Sequence, residues 1–222
     1  MNKDLNIWVF GDSFADLNFN GPVSHQWVAR LSNKYTVTNF ALAGTGPHWS
    51  LDLMIQQIEQ KTVPENTACI FVESEPSRLD LKFVENLNEQ KNCRPIQCES
   101  LREKYSNTDV DNIYWLFENM VTDRWLNCEA YKILGSVNGL AHKFSKVLYW
   151  PLNMWSAHYM IQPTKNLTVV KKGLRDISKQ AMARNNILDS YNLANHLPSE
   201  SHDQVYNLVE SWLQEKPLNY LN

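Results

Sequence analysis

Long apolar runs, cysteine pairs and an excess of basic charge are all missing from this chain of 222 residues. No apolar stretch approaches the roughly 20 residues that a membrane helix needs, so a membrane partner is not expected. The formal net charge of −3 comes from intermixed signs without a basic stripe, which argues against a nucleic-acid partner. A hydrophobic content of 43% with 20% charged residues is typical of a globular protein.

The cysteines and the N-terminus carry few signals of metal binding or export. Cys93 and Cys98 are the closest pair of cysteines, and they form no CxxC motif with a matching second half. The first residues lack the long apolar region and the small-residue cleavage site of a signal peptide. We therefore expect a cytoplasmic protein with free thiols and no metal, and leave a disulfide as the alternative. Nucleotide-binding glycine motifs are absent as well, so no cofactor is expected.

Strand-like and helical segments alternate along the chain, which predicts a doubly wound, mostly parallel sheet of the α/β class. An amphipathic stripe favours a helix at the C-terminal end. The predicted strands are 5–10, 35–40, 67–72, 146–150 and either 166–170 or 186–189, and the predicted helices are 24–31, 50–58, 177–182 and 201–212.

About 70 residues separate the third predicted strand from the fourth, too many for a simple crossover. Segments 76–90 and 110–143 have mainly helical patterns. We interpret 76–145 as a helical insertion within one domain that spans residues 1–222. This insertion is either a cap over the site or an added helical layer at the sheet edge.

Short polar segments follow the predicted strands at their carboxyl ends, where open parallel sheets bind ligands. Gly11-Asp12-Ser13 follows the first strand, Ala43-Gly44-Thr45 the second, and residues 73–78 the third. A serine on a tight turn beside backbone N–H groups is well placed to act as a nucleophile. Asp12 or Ser13 could equally cap the next helix, since both are good N-cap residues.

Two of these segments, together with a third near the C-terminus, resemble sequence blocks of the SGNH (GDSL-like) hydrolase superfamily. Phe10-Gly11-Asp12-Ser13 resembles the block with the nucleophile, and residues 39–45 resemble the block whose glycine donates an N–H to the oxyanion. Asn195-His196-Leu197-Pro198 resembles the block with the base. The resemblance implies a three-layer α/β/α, flavodoxin-like sandwich with about five strands.

The resemblance also implies a chemistry, namely ester hydrolysis through a covalent acyl-enzyme without a cofactor. Ser13 would be the nucleophile and His196 the general base, because serine needs a positioned base and imidazole titrates near neutral pH. The backbone N–H groups of Ser13 and Gly44 would be the oxyanion donors.

The chain departs from the family pattern in two places. The Asn of the family's Gly-x-Asn-Asp block is missing from 73–78, which leaves Ser77 or Arg78 as the candidate third donor. Arg78 could instead form a structural ion pair with Glu73 or Glu75.

The family's Asp-x-x-His pattern places Leu193 where the acid belongs, so Asp189 and Asn195 are the candidate supports for His196. His202 is an alternative base, and its pattern also fits a surface residue in the first turn of the last helix.

Two functions remain open at this point. Family analogy favours a small-molecule or glycan ester, such as an acetylated sugar, with an unknown oligomeric state. The alternative is a degenerate domain of the same family that binds a ligand, such as a carbohydrate on the aromatic segment 150–159, without turnover. His48 and Trp155 are candidate pocket residues in either case, although ordinary packing also accounts for them.

Overall fold

The computed structural model describes residues 5–18, 25–78, 111–112, 115, 118–184, 197 and 199–216. Its five strands form one parallel sheet in the order β2-β1-β3-β4-β5. The strands are β1 (Asn6–Phe10), β2 (Thr36–Asn39), β3 (Thr67–Glu73), β4 (Lys146–Pro151) and β5 (Leu167–Val169). The described helices are α1 (Trp27–Ser32), α2 (Pro47–Gln60), α3 (Asp123–Leu140), α4 (Ala157–Met160), α5 (Leu174–Arg184) and α6 (Ser199–Leu213), with a 3₁₀ turn at Ala141–Lys143.

The sheet separates two hydrophobic cores, because successive side chains along a strand point to opposite faces. Ile7, Val9, Ile70, Val72 and Leu148 lie on the face that α1, α5 and α6 cover. The alternate strand residues pack against α2 and α3 on the other face; they are Trp8, Phe10, Cys69, Phe71, Val147 and Tyr149. The predicted three-layer α/β/α sandwich is confirmed.

Most predicted elements are found within a residue or two of their expected positions. The first four strands and the fifth at 166–170 are confirmed, while the rival segment 186–189 lies outside the described residues. The start of α2 was predicted wrongly at Ser50, because Pro47 already begins the helix after Gly46. Proline suits that first turn because its missing N–H has no helical partner there. None of the described helices has both the length and the apolar character needed to cross a bilayer.

The helical insertion is described only in part. Its C-terminal portion contains α3, an 18-residue helix whose first turn is capped by the Thr122 hydroxyl. Residues 79–110 lie outside the described residues, so the single-domain boundary and the cap or edge-layer role of 76–145 remain predictions.

Gly11 lies where β1 leaves the sheet and approaches β3 closely. Its φ is +155°, and a Cβ at this position would lie 2.8 Å from the Cβ of Val72. The side chain of any other residue would therefore push apart the two strands that carry the polar turns. A glycine at this position lets the chain turn immediately after a strand whose last four residues are buried.

Gly11→Ala should lower the free energy of unfolding by roughly 2–4 kcal/mol, because it adds both a clash and an unfavourable φ. Denaturant unfolding monitored by circular dichroism measures this loss. Gly139→Ala is the matched control, since nothing lies within 4 Å of its added Cβ in α3. The control should gain up to about 1 kcal/mol in helix propensity. Equal stability of the two variants would contradict the close-approach argument.

Candidate active site at the carboxyl edge of the sheet

The turn after β1 is held by Asp12, which is fully buried. The Phe14 N–H donates to Asp12 Oδ1 at 3.1 Å, and the N–H groups of Ala15 and Asp16 donate to the Asp12 carbonyl at 2.9 and 3.0 Å. These bonds close a turn over residues 12–16, and the following described helix begins only at Trp27. Asp12 therefore stabilises a turn rather than capping a helix, and this turn places Ser13 at the carboxyl end of β1.

The turn after β2 is hydrogen-bonded directly to the turn that carries Ser13. The Ala43 N–H donates to Asp16 Oδ2 at 2.8 Å, and the Leu42 N–H donates to the Gly11 carbonyl at 3.1 Å. Asn39 Nδ2 donates to the Ala15 carbonyl at 2.9 Å. The structure therefore brings the segments of Ser13 and Gly44 together, as the sequence predicted.

Gly44 has a φ of +86°, a left-handed conformation that glycine adopts without strain. Sequence reasoning did not identify Asp16 and Asn39 as the residues that join the two turns. The signal was present, since Asp and Asn at strand ends commonly bond to nearby backbone groups.

Arg78 is a buried cation in the loop after β3, with 7% of its surface exposed. Its Nη1 donates to the Thr45 carbonyl at 2.8 Å and lies 3.1 Å from Asp12 Oδ2. The ion-pair partner in these contacts is Asp12, whereas Glu73 contacts His158 and the Glu75 carboxylate lies 3.4 Å from Arg175 Nη2. Ser77 lies half-buried in the same loop.

A second buried polar group lies at the ends of β3 and β4. His158 Nε2 is 2.9 Å from Glu73 Oε2, and both side chains are almost completely buried. The Trp155 N–H donates to His158 Nδ1 at 3.0 Å. A ring nitrogen that accepts a hydrogen bond carries no proton, so Nδ1 is the acceptor and Nε2 is the ring nitrogen that faces the carboxylate. Burial raises the pKa of Glu73, and it also raises the pKa of the adjacent Tyr149 hydroxyl.

The two candidate pocket residues have different roles in the structure. His48 lies in the first turn of α2, where its Nε2 is 2.9 Å from Glu129 Oε2 on α3. Glu129 also contacts Lys132 at 2.6 Å. Trp155 follows β4 and orients His158 through its main chain. His48 therefore connects two helices, and its assignment to a pocket wall remains a prediction, as does that of Trp155.

His202 is buried with 2% of its surface exposed, so the prediction of a surface residue is wrong. It lies in the first turn of α6, and its Nδ1 accepts a long hydrogen bond of 3.4 Å from the N–H of Trp27. That N–H belongs to the first residue of α1 and has no partner within its own helix. Burial lowers the pKa of His202 to about 4; the smaller effect of Asp203 raises this pKa, whereas that of Arg30 lowers it further.

His196, Asp189, Asn195 and Leu193 lie outside the described residues. The roles of His196 as the base and of Asp189 and Asn195 as its supports therefore stay predictions. The same holds for Leu193 at the position of the family's acid. Leu197, the residue after the predicted base, is buried in the core against α1, α5 and α6. The helix α6 begins at Ser199.

No protein-family model and no curated protein matches the sequence. Solved structures match it in three dimensions. A member of the lipolytic protein G-D-S-L family from Veillonella parvula is 11% identical, with 95% of this chain and 99% of that chain aligned and a TM-score of 0.50. TesA is also 11% identical, with 96% and 99% aligned and a TM-score of 0.51. The chain shares the fold of this G-D-S-L family member, which is called the G-D-S-L fold below.

Within the G-D-S-L fold, Gly11-Asp12-Ser13 and Gly44 occupy neighbouring turns at one edge of the sheet. Among the residues for which positions are given, no cluster of three or more His, Cys, Asp or Glu side chains could hold a metal ion. Cys69 is buried and Cys128 exposed, both as free thiols. Cys93 and Cys98 lie outside the described residues.

The neutral state of His202 should make folding sensitive to acid. The unfolded chain takes up a proton near pH 6.5, whereas the buried ring resists protonation down to about pH 4. The free energy of unfolding is therefore at its full value above pH 6.5. It falls progressively between pH 6.5 and 4, by up to roughly 3 kcal/mol.

Denaturant unfolding of wild type and His202→Gln at several pH values measures this loss as the difference between the two profiles. The exposed His142 offers a control, His142→Gln, whose profile should run parallel to that of wild type. A constant difference between wild type and His202→Gln would contradict the assignment.

His158→Ala should destabilise the protein by about 3–5 kcal/mol, because it removes the partner of a buried carboxyl and leaves a cavity. Chemical unfolding at neutral pH measures the loss. His142→Ala is the matched control, since His142 is exposed and its loss should cost under about 1 kcal/mol. A tolerated His158→Ala would show that the Glu73 contact contributes little to folding.

Proposed function

We propose that the protein is a serine ester hydrolase, with Ser13 as nucleophile and His196 as general base. The main observation behind the proposal is that the turn with Ser13 and the turn with Gly44 are hydrogen-bonded to each other at the carboxyl edge of the sheet. The G-D-S-L fold supports the proposal, because the solved structures that share it include one described as a lipolytic protein.

The proposed reaction has two steps with a covalent intermediate. The Ser13 hydroxyl attacks the ester carbonyl and gives its proton to His196, which passes it to the departing alcohol. Water then attacks the acyl group on Ser13, and His196 takes its proton and returns it to the serine oxygen as the carboxylic acid leaves. Apart from the ester and water, these steps use only the hydroxyl of Ser13 and the imidazole of His196.

Charge on the carbonyl oxygen would be stabilised by the backbone N–H groups of Ser13 and Gly44. Each preorganised donor of this kind contributes on the order of 3 kcal/mol to transition-state stabilisation in a well-studied protease. Ser77 is the better third donor, since Arg78 already contacts Thr45 and Asp12. Asp189 and Asn195 remain the proposed supports of His196.

The proposed substrate class is a small-molecule ester, which fits the fold. Within this class, family analogy favours an O-acetylated carbohydrate. The second candidate function is ligand binding without turnover. It is favoured by the loop after β3, where the Asn of the family pattern is missing and a buried ion pair is found instead.

Labelling with a fluorophosphonate probe tests the proposal directly. Wild type should be labelled on Ser13, as located by mass spectrometry of peptides, because an activated serine attacks phosphorus as it attacks an ester. Ser13→Ala should abolish labelling, and His196→Ala should slow it by about 100-fold or more. The same variants should lose hydrolysis of p-nitrophenyl acetate.

Ser32→Ala is the matched control, since Ser32 lies on α1 and its hydroxyl donates to the Val28 carbonyl. It should be labelled at the wild-type rate. Failure of wild type to label would refute the hydrolase and favour the binding domain. Labelling that persists in Ser13→Ala would assign the chemistry to another residue.

A further inference from the structure

The buried guanidinium of Arg78 needs acceptors, because a charge out of water is costly unless it is paired. Two of its partners, one hydrogen-bond acceptor and one ion-pair partner, belong to the turns that carry the proposed catalytic groups. Nη1 lies 2.8 Å from the carbonyl of Thr45, the residue after Gly44, and 3.1 Å from the carboxylate of Asp12, the residue before Ser13. One nitrogen of Arg78 therefore contacts the residue next to Gly44 and the residue next to Ser13.

We propose that Arg78 is a positioning residue that sets the Gly44 N–H relative to Ser13 through Thr45 and Asp12. This inference rests on the proposed function, because the relative position of the two groups matters only if they act on one substrate. It assigns Arg78 a different role from that of a third oxyanion donor.

On the side of Ser13, Asp12 transmits the constraint. Its Oδ2 faces Arg78, while its Oδ1 accepts the Phe14 N–H and its carbonyl accepts the N–H groups of Ala15 and Asp16. The bonded groups therefore lie on both sides of Ser13 along the chain. Movement of the carboxylate would rotate the turn and change the direction of the serine hydroxyl.

On the side of Gly44, Thr45 transmits the constraint. Both the N–H and the hydroxyl of Thr45 donate to the Leu42 carbonyl, at 3.3 and 2.7 Å. Arg78 holds the outer end of this closed turn through the Thr45 carbonyl. Gly44 lies between Leu42 and Thr45 in this turn, so the direction of its N–H depends on where Thr45 is held.

Arginine suits this task better than lysine. Its guanidinium is planar and presents several N–H groups at fixed angles, whereas a lysine ammonium is a compact charge on a flexible stem. Arg78→Lys therefore keeps the charge opposite Asp12 and loses the fixed geometry. This separates positioning from simple charge neutralisation.

The test compares Arg78→Lys, Arg78→Gln, Asp12→Asn and the double variant Asp12→Asn/Arg78→Gln. The double variant removes both charges together, so it should fold even if a single change leaves an unpaired charge and does not. For each variant we would measure the Ser13 labelling rate, kcat and KM for p-nitrophenyl acetate, and the amide NMR resonances of Gly44 and Thr45.

Arg78→Lys should lower kcat and the labelling rate roughly 10- to 100-fold, because a small misplacement of reacting groups is costly. KM should change less than about twofold, as expected for an interaction that matters mainly in the transition state. The loss in the double variant should be no greater than that in the worse single variant, since both residues act through one contact. The Gly44 and Thr45 amide resonances should shift in each variant.

Arg30→Lys is the matched control, because Arg30 pairs with Asp203 between α1 and α6, away from both turns. It should keep the wild-type rates and leave the two amide resonances unmoved. The proposal would be overturned if Asp12→Asn kept nearly wild-type rates and the losses of the single variants added in the double variant. Arg78 would then be a direct oxyanion contact. Unmoved Gly44 and Thr45 amides in Arg78→Lys would overturn it as well. Failure of wild-type Ser13 to label is a separate result, which refutes the proposed function itself.

Discussion

The buried contact between Asp12 and Arg78 is the constraint on which the rest of this sheet edge depends. Both groups are withdrawn from water, so each needs the other and the remaining polar groups around it must be satisfied. The backbone N–H groups of one turn bind Asp12, and the carbonyl of another turn binds Arg78. Loops that follow three different strands are thereby held in one arrangement.

The same edge contains a second buried polar group, built around an imidazole ring. The main chain at Trp155 holds Nδ1 of His158, and the other ring nitrogen faces Glu73. His202 is also buried, with its ring against the first N–H of α1, and burial lowers its pKa to about 4. In both places a ring nitrogen of the imidazole meets a polar partner that is buried with it.

Local pattern predicted the fold well because strands and turns are encoded over a few residues. The continuous apolar run from Ala68 to Val72 indicates a strand buried on both faces, and the structure shows every residue of β3 buried. The start of α2 was missed because Pro47 and Gly46 resemble a loop until the helix that follows is seen. His202 was misjudged because a helix start alone does not reveal which neighbour covers it.

The sequence by itself determined the alternation that produces a parallel sheet, and it placed Gly11-Asp12-Ser13 and Gly44 at strand ends. These features depend on side-chain periodicity and on residues that favour turns, which act at short range. Only the tertiary structure decided that Arg78 meets Asp12 and that His158 meets Glu73. Partners so distant along the chain are selected by burial, because a buried polar or charged group is stable only where the packed strands bring a suitable partner within reach.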